Sequence, residues 1–112
     1  MCIVCKWLSG EEKIDWNIKK LDCSYCTALT DIPEISSLET VNCAGCTSLT
    51  EIPELPKLKA LFCTGCTSLT NIPYFPKLEL LYCEGCTSLT KIPLFPRLRK
   101  LYYTNCNMEK VY

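Results

Sequence analysis

The stretch CTSLTEIPELPK (46–57) returns as CTSLTNIPYFPK (66–77) and again as CTSLTKIPLFPR (86–97), each time 20 residues further along. A unit this short cannot bury an apolar face by itself. It does so only by stacking on its copies, so a fixed period near 20 residues predicts a solenoid. Full repeats occupy 18–37, 38–57, 58–77 and 78–97. A partial repeat precedes them at 2–17, where Cys2, Cys5 and Leu8 match Cys23, Cys26 and Leu29, and another follows at 98–112. The 112 residues read as a single repeat domain, and the sequence leaves open whether it is a fragment of a longer array.

Within a repeat the apolar positions are the first, fourth, sixth, ninth, twelfth, fifteenth and eighteenth. In 38–57 they are Leu38, Val41, Cys43, Cys46, Leu49, Ile52 and Leu55. Positions four and six alternate, which predicts a short strand with that side inward. Gly45, Gly65 and Gly85 follow at position eight, where a turn with positive φ fits. Pro33, Pro53, Pro73 and Pro93 at position sixteen forbid a regular helix in the return. The expected architecture is therefore about six turns, with roughly six short parallel strands on one face. Extended, polyproline-like or turn segments form the other face, with little helix. The exception is SGEEKIDWNI (9–18), where Cys2 and Cys23 are 21 residues apart rather than 20. Ser9 and Glu12 suggest a capping box and a helical turn from Gly10 to about Ile14, with Ile14 or Trp16 packing inward.

The pattern L-x-x-L-x-C-x-x-C-x-x-L-T-x-I-P over 18–106, and more weakly over 2–8, resembles the leucine-rich repeats. It is similar to their short 20-residue class, in particular to cysteine-bearing repeats of giant-virus proteins and, more loosely, to repeats of bacterial secreted effectors. The resemblance implies a curved leucine-rich repeat solenoid with its sheet on the concave face, and binding of proteins there. Some effector relatives are ubiquitin ligases, but their catalytic cysteine lies in a separate domain, so that activity does not carry over.

The chain has 11 cysteines and no histidine. Without imidazole there is no Ser-His-Asp triad, no Cys-His dyad and no histidine-ligated zinc. The absence of a signal peptide or membrane-length apolar run and the odd thiol count predict free thiols in an intracellular, reducing compartment, the host cytoplasm if the protein is viral. Cys23-x2-Cys26 and Cys43-x2-Cys46 have zinc-site spacing. However, every cysteine shares the leucine register, and Tyr103 breaks the last pair. The favoured reading is a small buried apolar residue at position six. At position nine, cysteine takes the ladder role that asparagine plays in the relatives. No catalytic residue, metal or cofactor is assigned. Metal or redox chemistry on stacked CxxC pairs stays open as an alternative, as does a disulfide between stacked repeats.

Position two reads Lys19, Glu39, Lys59, Glu79, Arg99, with signs that alternate up the stack. Each exposed pair is worth about 0–1 kcal/mol, but a slip of one repeat would set like charges side by side. Position five reads Asp22, Asn42, Phe62, Tyr82, Tyr102 and should face outward. Phe62, Leu80, Tyr82 and Tyr102, with Lys100 at the rim, are the candidate partner-binding residues, and the expected function is non-catalytic protein interaction. Lys+Arg and Asp+Glu both number 12, which argues against nucleic acid or a membrane surface as partner. The acidic residues gather in 1–56 and the basic ones in 57–112, which keeps self-association open as a further alternative.

Overall fold

The computed structural model describes residues 2–106 and 110–111. It is a solenoid of about four turns built on a parallel sheet. Strands β1 (Lys20–Asp22), β2 (Thr40–Asn42), β3 (Ala60–Phe62) and β4 (Leu80–Tyr82) each occupy positions three to five of their repeat. After them come β5 (Lys91–Ile92), β6 (Lys100–Tyr102) and β7 (Lys110–Val111). The main sheet has five strands in the order β1-β2-β3-β4-β6, and a two-stranded sheet pairs β5 with β7 on the return side. Register in the main sheet is one repeat per step: Leu21 pairs with Val41, Val41 with Leu61, Leu61 with Leu81 and Leu81 with Leu101.

The apolar columns expected from the period form the core. Leu38, Leu58 and Leu78 are fully buried, as are Val41, Leu61 and Leu81, and Leu49, Leu69 and Leu89. Phe75 and Phe95 take position eighteen in the later turns and stack with ring centroids 6.3 Å apart. No polar or charged side chain is buried among the described residues. Truncating one such leucine to alanine costs about 2–5 kcal/mol, since the fixed spacing of neighbouring turns limits collapse into the cavity. The glycine turns at position eight take φ of +73°, +76° and +72° at Gly45, Gly65 and Gly85. Backbone bonds then run from turn to turn, as in Gly45 N–H to Thr64 O at 2.7 Å.

The N-terminal partial repeat departs from expectation. It is not a sixth strand and turn but an α-helix, α1 (Ile3–Leu8), with Val4 and Trp7 buried. Leu8, expected in the core, is 63% exposed. The helix also ends where a helical turn was expected to begin. Gly10 takes φ +82°, and Glu11 N–H bonds Lys6 O at 2.9 Å while Gly10 N–H bonds Trp7 O at 3.2 Å. These two bonds form a Schellman closure, which stops a helix by turning the chain left-handed. Ser9 is thus a C-terminal residue whose Oγ donates to Lys6 O at 3.1 Å, rather than the start of a capping box. Ile14 packs against the core and Trp16 is 57% exposed. In effect α1 lays an apolar face on the first turn, covering the end of the stack.

Candidate functional site

The strands place the position-five side chains on the open face of the sheet, one per step. Asp22 and Asn42 accept bonds from the backbone N–H two residues on, Ser24 at 3.0 Å and Ala44 at 3.1 Å, and so close their own turns. The Ser24 hydroxyl at 2.7 Å, and then the Ser24 N–H, hold the Asp22 carboxyl below its ordinary range. From β3 onward the column turns aromatic. Phe62 and Tyr82 lie 4.9 Å apart between ring centroids at 40°, and Tyr82 and Tyr102 lie 4.5 Å apart at 31°. Contacts of this kind add about 0.5–1.5 kcal/mol each beyond burial. Desolvation, followed by the neighbouring Tyr102, pushes the Tyr82 phenol above its ordinary value. Phe62 and Tyr82 remain partly exposed, and Tyr102 is 41% exposed. Leu80 flanks the file at half-burial, Lys100 stands exposed at its end, and Ala60 is nearly covered. All five candidate residues therefore lie on adjacent strands of one surface, with the three rings in contact.

At position two the alternating charges pair two by two: Glu39 with Lys59 and Glu79 with Arg99, each at 3.7 Å. A second exposed column went unnoticed in the sequence. Position seventeen reads Glu34, Glu54, Tyr74, Leu94, and Tyr74 and Leu94 are 54% and 72% exposed on the return side. Both outward columns change from polar to apolar at the third full repeat.

The thiols form two columns. Cys23, Cys43, Cys63 and Cys83 at position six are buried; the position-nine thiol packed on each of the first three, and then burial, push them above their ordinary value, while for Cys83 burial leads and Cys106 follows. At position nine the thiol is a ladder donor. Cys46 Sγ donates to Cys23 O, Cys66 to Cys43 O and Cys86 to Cys63 O at 3.0 Å each, and Cys106 donates to Cys83 O at 2.7 Å. Serine hydroxyls add a parallel ladder, Ser68 to Thr47 O and Ser88 to Thr67 O at 2.7 Å.

Cys26 is the exception. The position-six residue below it is Cys2, the N-cap of α1, whose carbonyl accepts the Lys6 N–H at 3.1 Å as part of the helix. Cys26 Sγ instead lies 3.2 Å from Cys5 Sγ. Together with Cys2 these sulfurs all lie within 4.8 Å of one another, the only group of three or more potential metal ligands so gathered among the described residues. Contact with Cys26 and then Cys2, plus desolvation, pushes the Cys5 thiol up to about 12. Desolvation opposes ionisation of Cys26, but hydrogen bonds from Cys2, Cys5 and the backbone at Cys2 and Ala28 outweigh it and hold that thiol below its ordinary value. The three thiols open on a cleft of about 590 Å³, also lined by Ser24, Tyr25, Thr27 and Ala28. The Cys23/Cys26/Cys43/Cys46 set, which has zinc-site spacing, is not brought together: Cys23 and Cys46 face each other in the ladder, and Cys26 turns away to the end. The trio went unread because its signal is a single residue: Cys5 and Cys26 are 21 apart where ladder neighbours are 20 apart.

No protein-family model, curated protein or solved structure matches this chain. No helix among the described residues is long and apolar enough to cross a membrane.

Proposed function

We propose that this protein is a non-catalytic interaction scaffold that holds a protein partner on the open face of its sheet, the concave face of the expected solenoid. The supporting observation is the file Phe62–Tyr82–Tyr102, three rings in mutual contact that stay solvent-accessible on adjacent hydrogen-bonded strands. Rings fixed against one another lose little rotamer freedom on docking, so burying them costs less entropy than ordering mobile side chains. Leu80 adds aliphatic surface, and Lys100 suits a carboxylate at the edge of the partner's apolar patch. The repeat's resemblance to cysteine-bearing leucine-rich repeats of giant viruses points the same way and carries with it an intracellular, host-cytoplasmic setting.

The test is retention of host-cell protein by the immobilised chain, in three forms. Wild type and a return-face control, Tyr74→Ser with Leu94→Ser, should retain the same partner. Replacing Phe62, Leu80, Tyr82 and Tyr102 together with serine should weaken it about 100-fold, the loss of two modest apolar anchors. Equal retention by all three forms would remove the assignment.

A further inference from the structure

At the end of the ladder, the same position-nine cysteine that bonds a carbonyl in every later turn meets two other thiols instead. We infer that Cys2, Cys5 and Cys26 form a binding site for one thiophilic d10 cation, Zn(II) or Cu(I), held by three thiolates at the junction of α1 and the first solenoid turn. This site is separate from the aromatic file and does not depend on it.

The spacing fits. At a metal–sulfur distance of about 2.3 Å, three sulfurs around one ion lie about 3.8 Å apart in a tetrahedral arrangement and about 4.0 Å apart in a trigonal one. The three Sγ atoms already lie within 4.8 Å of one another. The closest pair, Cys5 and Cys26 at 3.2 Å, has to open by only about 0.6 Å. Rotamer adjustment of partly exposed side chains covers that distance, and all three cysteines are partly exposed. Two ligands flank the start of α1, as its N-cap and third residue, while the third lies on the first turn of the repeats. A cation here would therefore clamp helix to solenoid.

The donor set selects the ion class. The cleft walls supply thiols and hydroxyls but no carboxylate and no imidazole, a set suited to soft ions and poorly suited to Mg(II) or Ca(II). One side is open, so Zn(II) can complete four-coordination with water, while Cu(I) is satisfied by three sulfurs. Binding exchanges three S–H bonds for three metal–sulfur bonds and releases the protons to solvent.

The cleft wall follows the repeat. Tyr25, next to Cys26, takes φ +60° at position eight, the left-handed turn that Gly45, Gly65, Gly85 and Asn105 also adopt. Its ring lies over Gly45 and 78% of the residue is exposed, so it lines the cleft from the solvent side.

The experiment uses the full chain, reduced and purified without added metal. Zn(II) is titrated against a chromophoric chelator, and Cu(I) is titrated anaerobically in a second arm. The expected result is one equivalent bound, in at least one arm, with affinity lowered at least tenfold by Cys2→Ser, Cys5→Ser or Cys26→Ser. Cys106→Ser, whose hydroxyl can still bond Cys83 O, should leave it unchanged. Because a serine variant could fail to fold, the wild-type chain is also alkylated with and without metal, and modified sites are located by mass. Protection confined to Cys2, Cys5 and Cys26 supports the site. The inference is overturned by no saturable binding of either ion, or by equal loss in Cys106→Ser. It is also overturned by protection spread over the buried columns, or by a reduced chain that binds neither ion yet closes a Cys5–Cys26 disulfide in glutathione buffer.

Discussion

The first turn of the solenoid and the turns above it are written in nearly the same residues and behave differently. In the inner turns a glycine takes the left-handed position and the next cysteine caps a carbonyl one turn below, as with Gly45 and Cys46, Gly65 and Cys66, and Gly85 and Cys86. In the first turn Tyr25 takes the glycine's conformation and Cys26 turns toward Cys5. The side chain is the same, but its partner is not, because the layer below is a helix instead of another turn. A cysteine in a repeat is thus defined by its neighbouring layer as much as by its motif.

The largest effect expected from this contrast lies at the seam between the two kinds of turn. A methyl group at Gly45 would lie 2.5 Å from Cδ1 of Tyr25 and would sit on a residue at φ +73°. Gly45→Ala should therefore cost about 2–3 kcal/mol, combining left-handed strain with the displaced ring. At Gly65 the nearest atom is 3.8 Å away, and only the strain at φ +76° remains, so Gly65→Ala should cost about 1–2 kcal/mol. Denaturant midpoints compare the two, and combining Gly45→Ala with Tyr25→Gly should bring the first down to the second. If the two glycine variants were equally destabilised from the start, Tyr25 would have no part in setting the seam.

A smaller difference separates the cysteines. Cys66 is fully buried and supplies one of two donors to Cys43 O, the other being the Cys46 N–H at 3.2 Å. Cys66→Ala should lower stability by about 1–2 kcal/mol through lost packing and the lost donor. Cys26→Ala in the metal-free chain should cost less than about 0.5 kcal/mol, since Cys26 is partly exposed and bonds no carbonyl. The comparison breaks if urea unfolding ranks them the other way. An effect of similar size and opposite sign is expected of Tyr25→Gly, which should raise stability by about 0.5 kcal/mol. It removes left-handed strain of about 1–2 kcal/mol while adding glycine's entropy cost of about 0.5–1 kcal/mol. A fall in the thermal midpoint would show that the ring's contact with Gly45 outweighs the strain.

What could be read from the sequence follows the same division. Leu61, Cys63, Cys66, Leu69 and Ile72 sit where the period places them, because stacked identical layers leave each column a single environment. Helix α1 escaped notice because Cys2, Cys5 and Leu8 step by three, a spacing shared by the repeat's return segment and by one side of a helix. Val4 and Trp7, also three apart, were the competing signal, and burying the larger tryptophan turned Leu8 out to solvent. The face residues Phe62, Tyr82 and Tyr102 were legible from strand alternation alone. The thiol trio was not, because it depends on how a helix meets a turn, and neither sequence segment records that meeting.

The alternating charges also bear on how such a chain can change length. Every strand pairing in the main sheet joins residues 20 apart, so excising the cassette 58–77 would leave all apolar columns intact. It would, however, seat Glu79 against Glu39. Removing 58–97 instead would seat Arg99 there and restore an opposite pair. Written this way, the array grows or shrinks most easily in steps of two repeats, a parity rule carried on its surface and invisible to its core.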